Sequence, residues 1–211
     1  MSLNLFIIGP SGCGKSTQAK LIAEKYGLTH YSMGQLLRDE VTIGSDLGQQ
    51  LKAVLDEGRW ASDELVLDIL KSNSAKINNQ NFIVDGFPRM LNQGIEIEKY
   101  LESTGHTMSS LILLDVTFEE IMARRQKLGL EFQDTSRTDN TPEAVIQRQK
   151  SYDETINPII EYYQNKYGAS PILSNPSTPI RRINSVGYPN GKIPKIIRMS
   201  DAKLMKKLKV Q

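Results

Sequence analysis

The stretch that most constrains the fold is the first seventeen residues. Residues 3–8 (LNLFII) are an apolar run of strand-forming residues, long enough for one buried strand. The run leads directly into residues 9–16 (GPSGCGKS), and residues 17–26 then read as helix. Strand, G-x-x-x-x-G-K-S and helix, in that order, is the context a phosphate-binding loop requires. Gly9, Gly12 and Gly14 let such a loop turn with its N–H groups facing inward as an anion nest. The helix N-terminus adds its partial positive charge at the same point. Lys15 can reach β- and γ-phosphate oxygens, and the Ser16 hydroxyl can ligate Mg²⁺. The loop implies nucleotide binding. The reaction has to be read elsewhere in the chain.

Strands and helices alternate after it. Residues 29–31 are a short second strand, and the loop at Ser32 leads to helices over 35–60, broken by glycines. Ser62 caps a longer helix whose Leu65, Val66, Ile69 and Leu70 share a face. Residues 81–85 and 110–116 are further strands, followed by helices over 91–103 and 118–128. Residues 129–140 are polar and turn-rich. A long helix is expected over 142–167, with Pro142 in its first turn. A last strand at 195–198 and a terminal helix capped by Ser200 or Asp201 complete the chain. This alternation predicts an α/β fold, a parallel sheet covered on both faces.

Hydrophobic content of 39% and charged content of 24% fit a globular protein and argue against a disordered one. The single cysteine, Cys13, excludes an internal disulfide and fits a reducing compartment, so a cytoplasmic location is expected. No apolar run approaches the about 18 residues of a membrane helix. The first strand begins so early that no secretory or transit segment is expected before it. Net charge is +2, but residues 175–211 alone carry +8, from nine Lys/Arg and one acid. Such a tail reads as a solvated terminal element rather than a nucleic-acid site.

Residues 85–89 (DGFPR), directly after a strand, resemble the D-G-F-P-R signature of adenylate kinases and related nucleoside monophosphate kinases. Ser32-x-Gly34-x-Leu-Leu-Arg38 is similar to their S-x-G-D-L-L-R, and Gly58 with 62–65 (SDEL) to the G-x-x-x-x-D-E-L that follows. Arg137-x-Asp139-Asn140 with Arg148 resembles the lid motif R-x-D-D…R. Tyr152, Thr155, Pro158, Tyr162 and Tyr163 match the Y…T-x-P…Y-Y helix. The resemblance covers residues 3–168 in order.

It implies a P-loop NTPase-type sheet flanked by helices. The core domain would comprise 1–31, 62–123 and 141–211, with a small helical monophosphate-binding insertion at 32–61 and a short lid at 124–140. The activity implied is reversible phosphoryl transfer from MgATP to AMP by a monomer, with no nucleic-acid or membrane partner. Residues 9, 12–17 (Gly9, Gly12, Cys13, Gly14, Lys15, Ser16, Thr17) and Arg124 would hold ATP, and Ser16 and Asp85 the metal, partly through water. Arg38 and Arg89 would clamp the acceptor phosphate, because a guanidinium fork fits phosphate oxygens bidentately. Ser32, Met33, Trp60, Ala61 and Gly86 would complete the monophosphate site, with Gln93 reading the base edge. Lys15, Arg89, Arg124, Arg137 and Arg148 would carry catalysis by closing on the transferred phosphoryl group.

Such chemistry needs cations and a dry site, and no general base, because the acceptor oxygen is already anionic. His30 and His106 are therefore expected to have surface or sheet-edge roles. With one cysteine and two histidines, a zinc-bearing lid is excluded by count. The chain departs from the family pattern at Met33, Gln35, Trp60 and Leu128, and after residue 170. A glutamine amide can turn over to suit guanine as well as adenine. Base preference is therefore expected from the wall that includes Met33 and Trp60. Two alternatives stand beside AMP. One is a UMP/CMP kinase, which usually has Asn where Gln93 stands. The other is a nucleotide-binding, kinase-like scaffold with weak catalysis.

Overall fold

The structure is a computed structural model that describes residues 2–56, 61–114, 116–127, 142–167 and the backbone of 195–198. Its elements are β1 (Asn4–Ile8), α1 (Lys15–Tyr26), β2 (Thr29–Ser32), α2 (Met33–Ile43), α3 (Asp46–Asp56) and α4 (Asp63–Ala75). There follow β3 (Phe82–Asp85), α5 (Leu91–Ser103), β4 (Ser110–Leu113), α6 (Phe118–Lys127), α7 (Pro142–Tyr167) and β5 (Lys195–Arg198). The strands form one parallel sheet in the order β2-β3-β1-β4-β5. The expected last strand is β5, which pairs with β4 from Ser110 opposite Lys195 to Leu113 opposite Arg198. The expected terminal helix lies outside the described residues.

The uninterrupted apolar character of β1 follows from burial on both faces. Successive side chains alternate between two cores. Phe6, Ile8, Phe82, Val84, Leu111 and Leu113 face the helices α4, α5 and α7 in the larger core. Leu5, Ile7, Ile83, Ile112 and Leu114 face α1 and α6 with Ala19, Ile22 and Ile121. Phe6 and Phe82 meet edge to face at 5.8 Å. Tyr163 of α7 is fully buried, and its hydroxyl donates to the Gly94 carbonyl of α5 at 3.2 Å. The tyrosine pair of the long helix thus fastens α7 to α5.

Element boundaries shift slightly from those the sequence predicts. α1 begins at Lys15 rather than residue 17, because the phosphate loop closes straight into the first helical turn with Gly14 as its cap. α2 begins at Met33 rather than 35. Ser32 precedes it without a side-chain capping bond, and its hydroxyl lies 3.5 Å from Asp85 Oδ1 instead. Between α2 and α3 the backbones come very close. A Cβ on Gly48 would lie 1.9 Å from the Glu40 carbonyl oxygen, so only glycine permits this crossing.

Candidate active site

The C-terminal ends of β1, β2 and β3 meet at one edge of the sheet, where open parallel sheets place their ligands. β1 feeds the loop of residues 9–14. Gly9 has to be small, since a Cβ there would lie 2.8 Å from the Leu114 carbonyl oxygen and 2.9 Å from Cys13 Sγ. Cys13 is buried in the smaller core and spaces the loop against the sheet. Lys15 opens α1 and folds back over the loop. Its Nζ donates to the carbonyls of Gly9 at 2.9 Å and Pro10 at 2.8 Å. Ser16 and Thr17 are exposed in the first turn of α1.

Asp85 ends β3 and is 4% exposed. Three side chains from two elements converge on its carboxylate. The Ser16 hydroxyl of α1 donates to Oδ1 at 3.2 Å, and Ser32 Oγ of β2 lies 3.5 Å from the same oxygen. His30 Nε2 is 2.6 Å from Oδ2. The sequence places His30 at the sheet edge, and β2 is the edge strand, yet its ring faces Asp85 rather than solvent. The signal was present in the alternation of β2. Ser32 and His30 lie two residues apart and so share a face, and Ser32 pairs with Asp85 in the ladder. Tyr31 faces the other way and donates to the Asn73 carbonyl at 3.0 Å. Burial pushes its hydroxyl above the ordinary phenol pKa, which keeps it a donor.

One residue after Asp85 the chain leaves the sheet. Gly86 and Phe87 are buried, a cis peptide joins Phe87 to Pro88, and Arg89 emerges exposed. Arg89 Nε donates to the Gly86 carbonyl at 3.0 Å, which directs the guanidinium back over the turn. Gln93, at the third position of α5, accepts from Arg89 N at 2.8 Å and donates to Asp63 Oδ1 at 2.7 Å. Asp63, which the sequence reading placed in the SDEL motif without a site role, thus contacts the Gln93 side chain.

Arg38 is exposed on α2 and donates to Gln35 Oε1 at 2.7 Å, while Gln35 Nε2 donates to Asp39 Oδ1 at 2.7 Å. Met33 is 1% exposed and belongs to the larger core, and Ala61 packs half-buried against the same core. Arg148 lies half-buried on α7. Trp60, Arg137 and the other residues of 128–140 lie outside the described residues, as does the side chain of Arg124, while 124–127 of the expected lid are the end of α6. The structure therefore brings together Lys15, Ser16, Ser32 and Asp85, and separately Gly86, Arg89 and Gln93.

A glycine-lined loop between β1 and α1, a cation over it and a strand-end carboxylate beside it define a P-loop nucleotide-binding α/β protein. Comparison with known proteins narrows the class. The family model for adenylate kinase matches residues 7–168. Adenylate kinase from Prochlorococcus marinus is 37% identical over 166 residues, covering 79% of this chain and 87% of that protein. That from Bacteroides thetaiotaomicron is 38% identical over 166 residues, 78% and 86% of the two chains. That from Stenotrophomonas maltophilia is 36% identical over 162 residues, 76% and 85%. The chain belongs to the adenylate kinase family.

Proposed function

We propose that this chain catalyses reversible phosphoryl transfer from MgATP to AMP, giving two ADP. The observation that carries the reading is the course of β3. Its last residue, Asp85, receives the phosphate-loop helix through Ser16, and four residues later the same strand end delivers Arg89. Donor and acceptor phosphates are thereby addressed from one strand end. The family assignment and Gln93 favour AMP over a pyrimidine monophosphate.

In this reading residues 9–17 cradle the donor's phosphates, and Lys15 exchanges its two loop carbonyls for β- and γ-phosphate oxygens. Arg38 and Arg89 hold the acceptor phosphate in line with the γ-phosphorus. An acceptor oxygen forms the new P–O bond as the bond from the γ-phosphorus to the β,γ-bridging oxygen breaks. The acceptor oxygen is already deprotonated, so His30 is assigned no proton transfer. Ser16 and Asp85 supply hard oxygen donors 3.2 Å apart, a set that fits Mg²⁺ directly or through water. Bound there, the ion would neutralise charge on the donor's phosphates. Residues 32–61 act as the acceptor insertion and 124–140 as a short lid with Arg124 and Arg137, closing with Arg148 to exclude water. We assign the enzyme to the cytoplasm as a monomer. Among the described residues no helix is long and apolar enough to cross a membrane.

A coupled assay of MgATP with AMP, GMP, CMP and UMP in turn tests the reading. AMP should be the best acceptor, by about tenfold or more over GMP. A faster reaction with CMP or UMP than with AMP would replace it with a pyrimidine kinase.

A further inference from the structure

Gln93 is 4% exposed, and both ends of its amide are engaged. Oε1 accepts from Arg89 N at 2.8 Å and, more weakly, from Met90 N at 3.4 Å. Nε2 donates to Asp63 Oδ1 at 2.7 Å, linking the first turn of α5 to the first turn of α4. An amide can usually turn over, because its oxygen and nitrogen are of similar size and its neighbours adapt. These neighbours cannot adapt. A backbone N–H only donates, and a carboxylate only accepts. Turning the amide would set NH₂ against two backbone N–H groups and a carbonyl oxygen against a carboxylate. The bond to Asp63 is charge-assisted, the stronger class of hydrogen bond.

We propose that Asp63 is a specificity-determining positioning residue, locking the polarity of the Gln93 amide so that it reads adenine and rejects guanine. The inference rests on the reading above, in which Gln93 faces the acceptor base. Asp63 uses one hydrogen of Nε2, and the second is the donor offered to a base. Adenine presents an acceptor at N1. Guanine carries a hydrogen at N1, so donor meets donor there. The turned-over amide would suit guanine, and it is the orientation that Asp63 and the Arg89 and Met90 N–H groups oppose. Base preference is then set in part by an acid on α4 that touches no nucleotide. On this reading discrimination begins at the amide itself, beside whatever the wall that includes Met33 and Trp60 contributes.

The test is kcat/KM for AMP and for GMP, at saturating MgATP, in the wild type, Asp63→Asn, Gln93→Ala and the double variant. The substitution Asp63→Asn removes the carboxylate's opposition at the Nε2 end, leaving only the Arg89 and Met90 N–H groups to hold the polarity of the amide. It should lower the AMP-over-GMP ratio about tenfold, the scale of one charge-assisted bond, with KM for ATP unchanged. An equal loss on both substrates, with the ratio held, would overturn the proposal and leave Asp63 a helix-start residue. Gln93→Ala should remove most of the preference, and adding Asp63→Asn to it should change the ratio no further. If Gln93→Ala keeps the wild-type ratio, the base-reading role of Gln93 fails, whatever Asp63 does. A wild type inactive on AMP would reject the proposed function instead. Should Asp63→Asn fail to fold, the free wild-type enzyme still decides. The Gln93 side-chain amide, assigned in ¹⁵N spectra, should show one hydrogen-bonded proton that exchanges slowly. A rapidly exchanging, unshifted pair would overturn the lock.

Discussion

At the phosphate loop, Lys15 donates to two backbone carbonyls, and the neighbouring carboxylate, Asp85, is reached by partners 69 and 55 residues away in sequence. On α2, Arg38 is met by Gln35, three residues back on the same exposed helix surface. The two regions bind similar phosphates in the proposed reaction, yet they hold their cations differently. The loop backbone and the long-range bonds around Asp85 cannot move without disturbing the sheet, so in that reaction only the Lys15 amine exchanges partners. A side-chain ladder on one helix face can be rearranged at the cost of one exposed hydrogen bond, about 1 kcal/mol or less. In the proposed reading the donor side is therefore built in advance, and the acceptor side takes its final geometry with substrate. Arg89 stands between them, exposed like Arg38 but tied to the Gly86 carbonyl and so to the strand end.

The largest test of this contrast is Lys15→Ala. Losing the cation that neutralises the transferring phosphate should lower kcat by about a thousandfold or more. Cys13, Gly9 and the smaller core remain in place, so the thermal midpoint should change little. Near-wild-type turnover would remove the loop from the chemistry. Arg89→Lys comes next. A lysine keeps the charge but has one nitrogen, which cannot hold the Gly86 carbonyl and grip two phosphate oxygens together. We expect a loss of about a hundredfold in kcat/KM for AMP, with ATP affinity nearly unchanged. A loss confined to ATP binding would move Arg89 to the donor side.

Gly48→Ala probes the acceptor side as a folding unit. The added methyl would sit 1.9 Å from a backbone oxygen of α2, so α2 and α3 have to part. Overpacking of this kind costs about 1–3 kcal/mol. If the insertion is the more loosely attached region, amide exchange should rise across residues 33–56 while Ile7 and Val84 stay protected. A uniform rise through the sheet would mean that the two regions unfold as one.

The same contrast explains what was legible in the sequence. The phosphate loop, the strand that precedes it and the turn after Asp85 are backbone devices, and their glycines and proline stand in the sequence at fixed offsets. Both cores were legible too, since the apolar runs of β1 and β4 leave no polar face. Side-chain partnerships were less so. His30 could have been placed on Asp85 from the strand alternation, but only with the register of β2 against β3 in hand. The Asp63 contact to Gln93 joins two helix starts 30 residues apart, and no local pattern encodes it. Met33, expected in the acceptor wall, is 1% exposed at the start of α2 and packs in the larger core, with its Cβ 4.0 Å from where a Cβ on Gly86 would stand.

The smallest effect, and the sharpest test of the acceptor side, belongs to Gln35. The family pattern has an aspartate at this position, which would pair directly with Arg38. Here a neutral amide accepts from Arg38 and donates to Asp39, so it joins an acid and a base without a charge of its own. An aspartate at 35 would face Asp39 one turn on, and like charges at that spacing are mildly destabilising. Glutamine avoids the repulsion and still orients the guanidinium. All three side chains are exposed, so the orientation is weakly held. Gln35→Ala should therefore raise KM for AMP by no more than about threefold and leave kcat unchanged, because substrate itself supplies the partner that positions Arg38. An increase beyond about tenfold, or a matching fall in kcat, would show that Arg38 is positioned in advance. The acceptor side would then be as preformed as the phosphate loop.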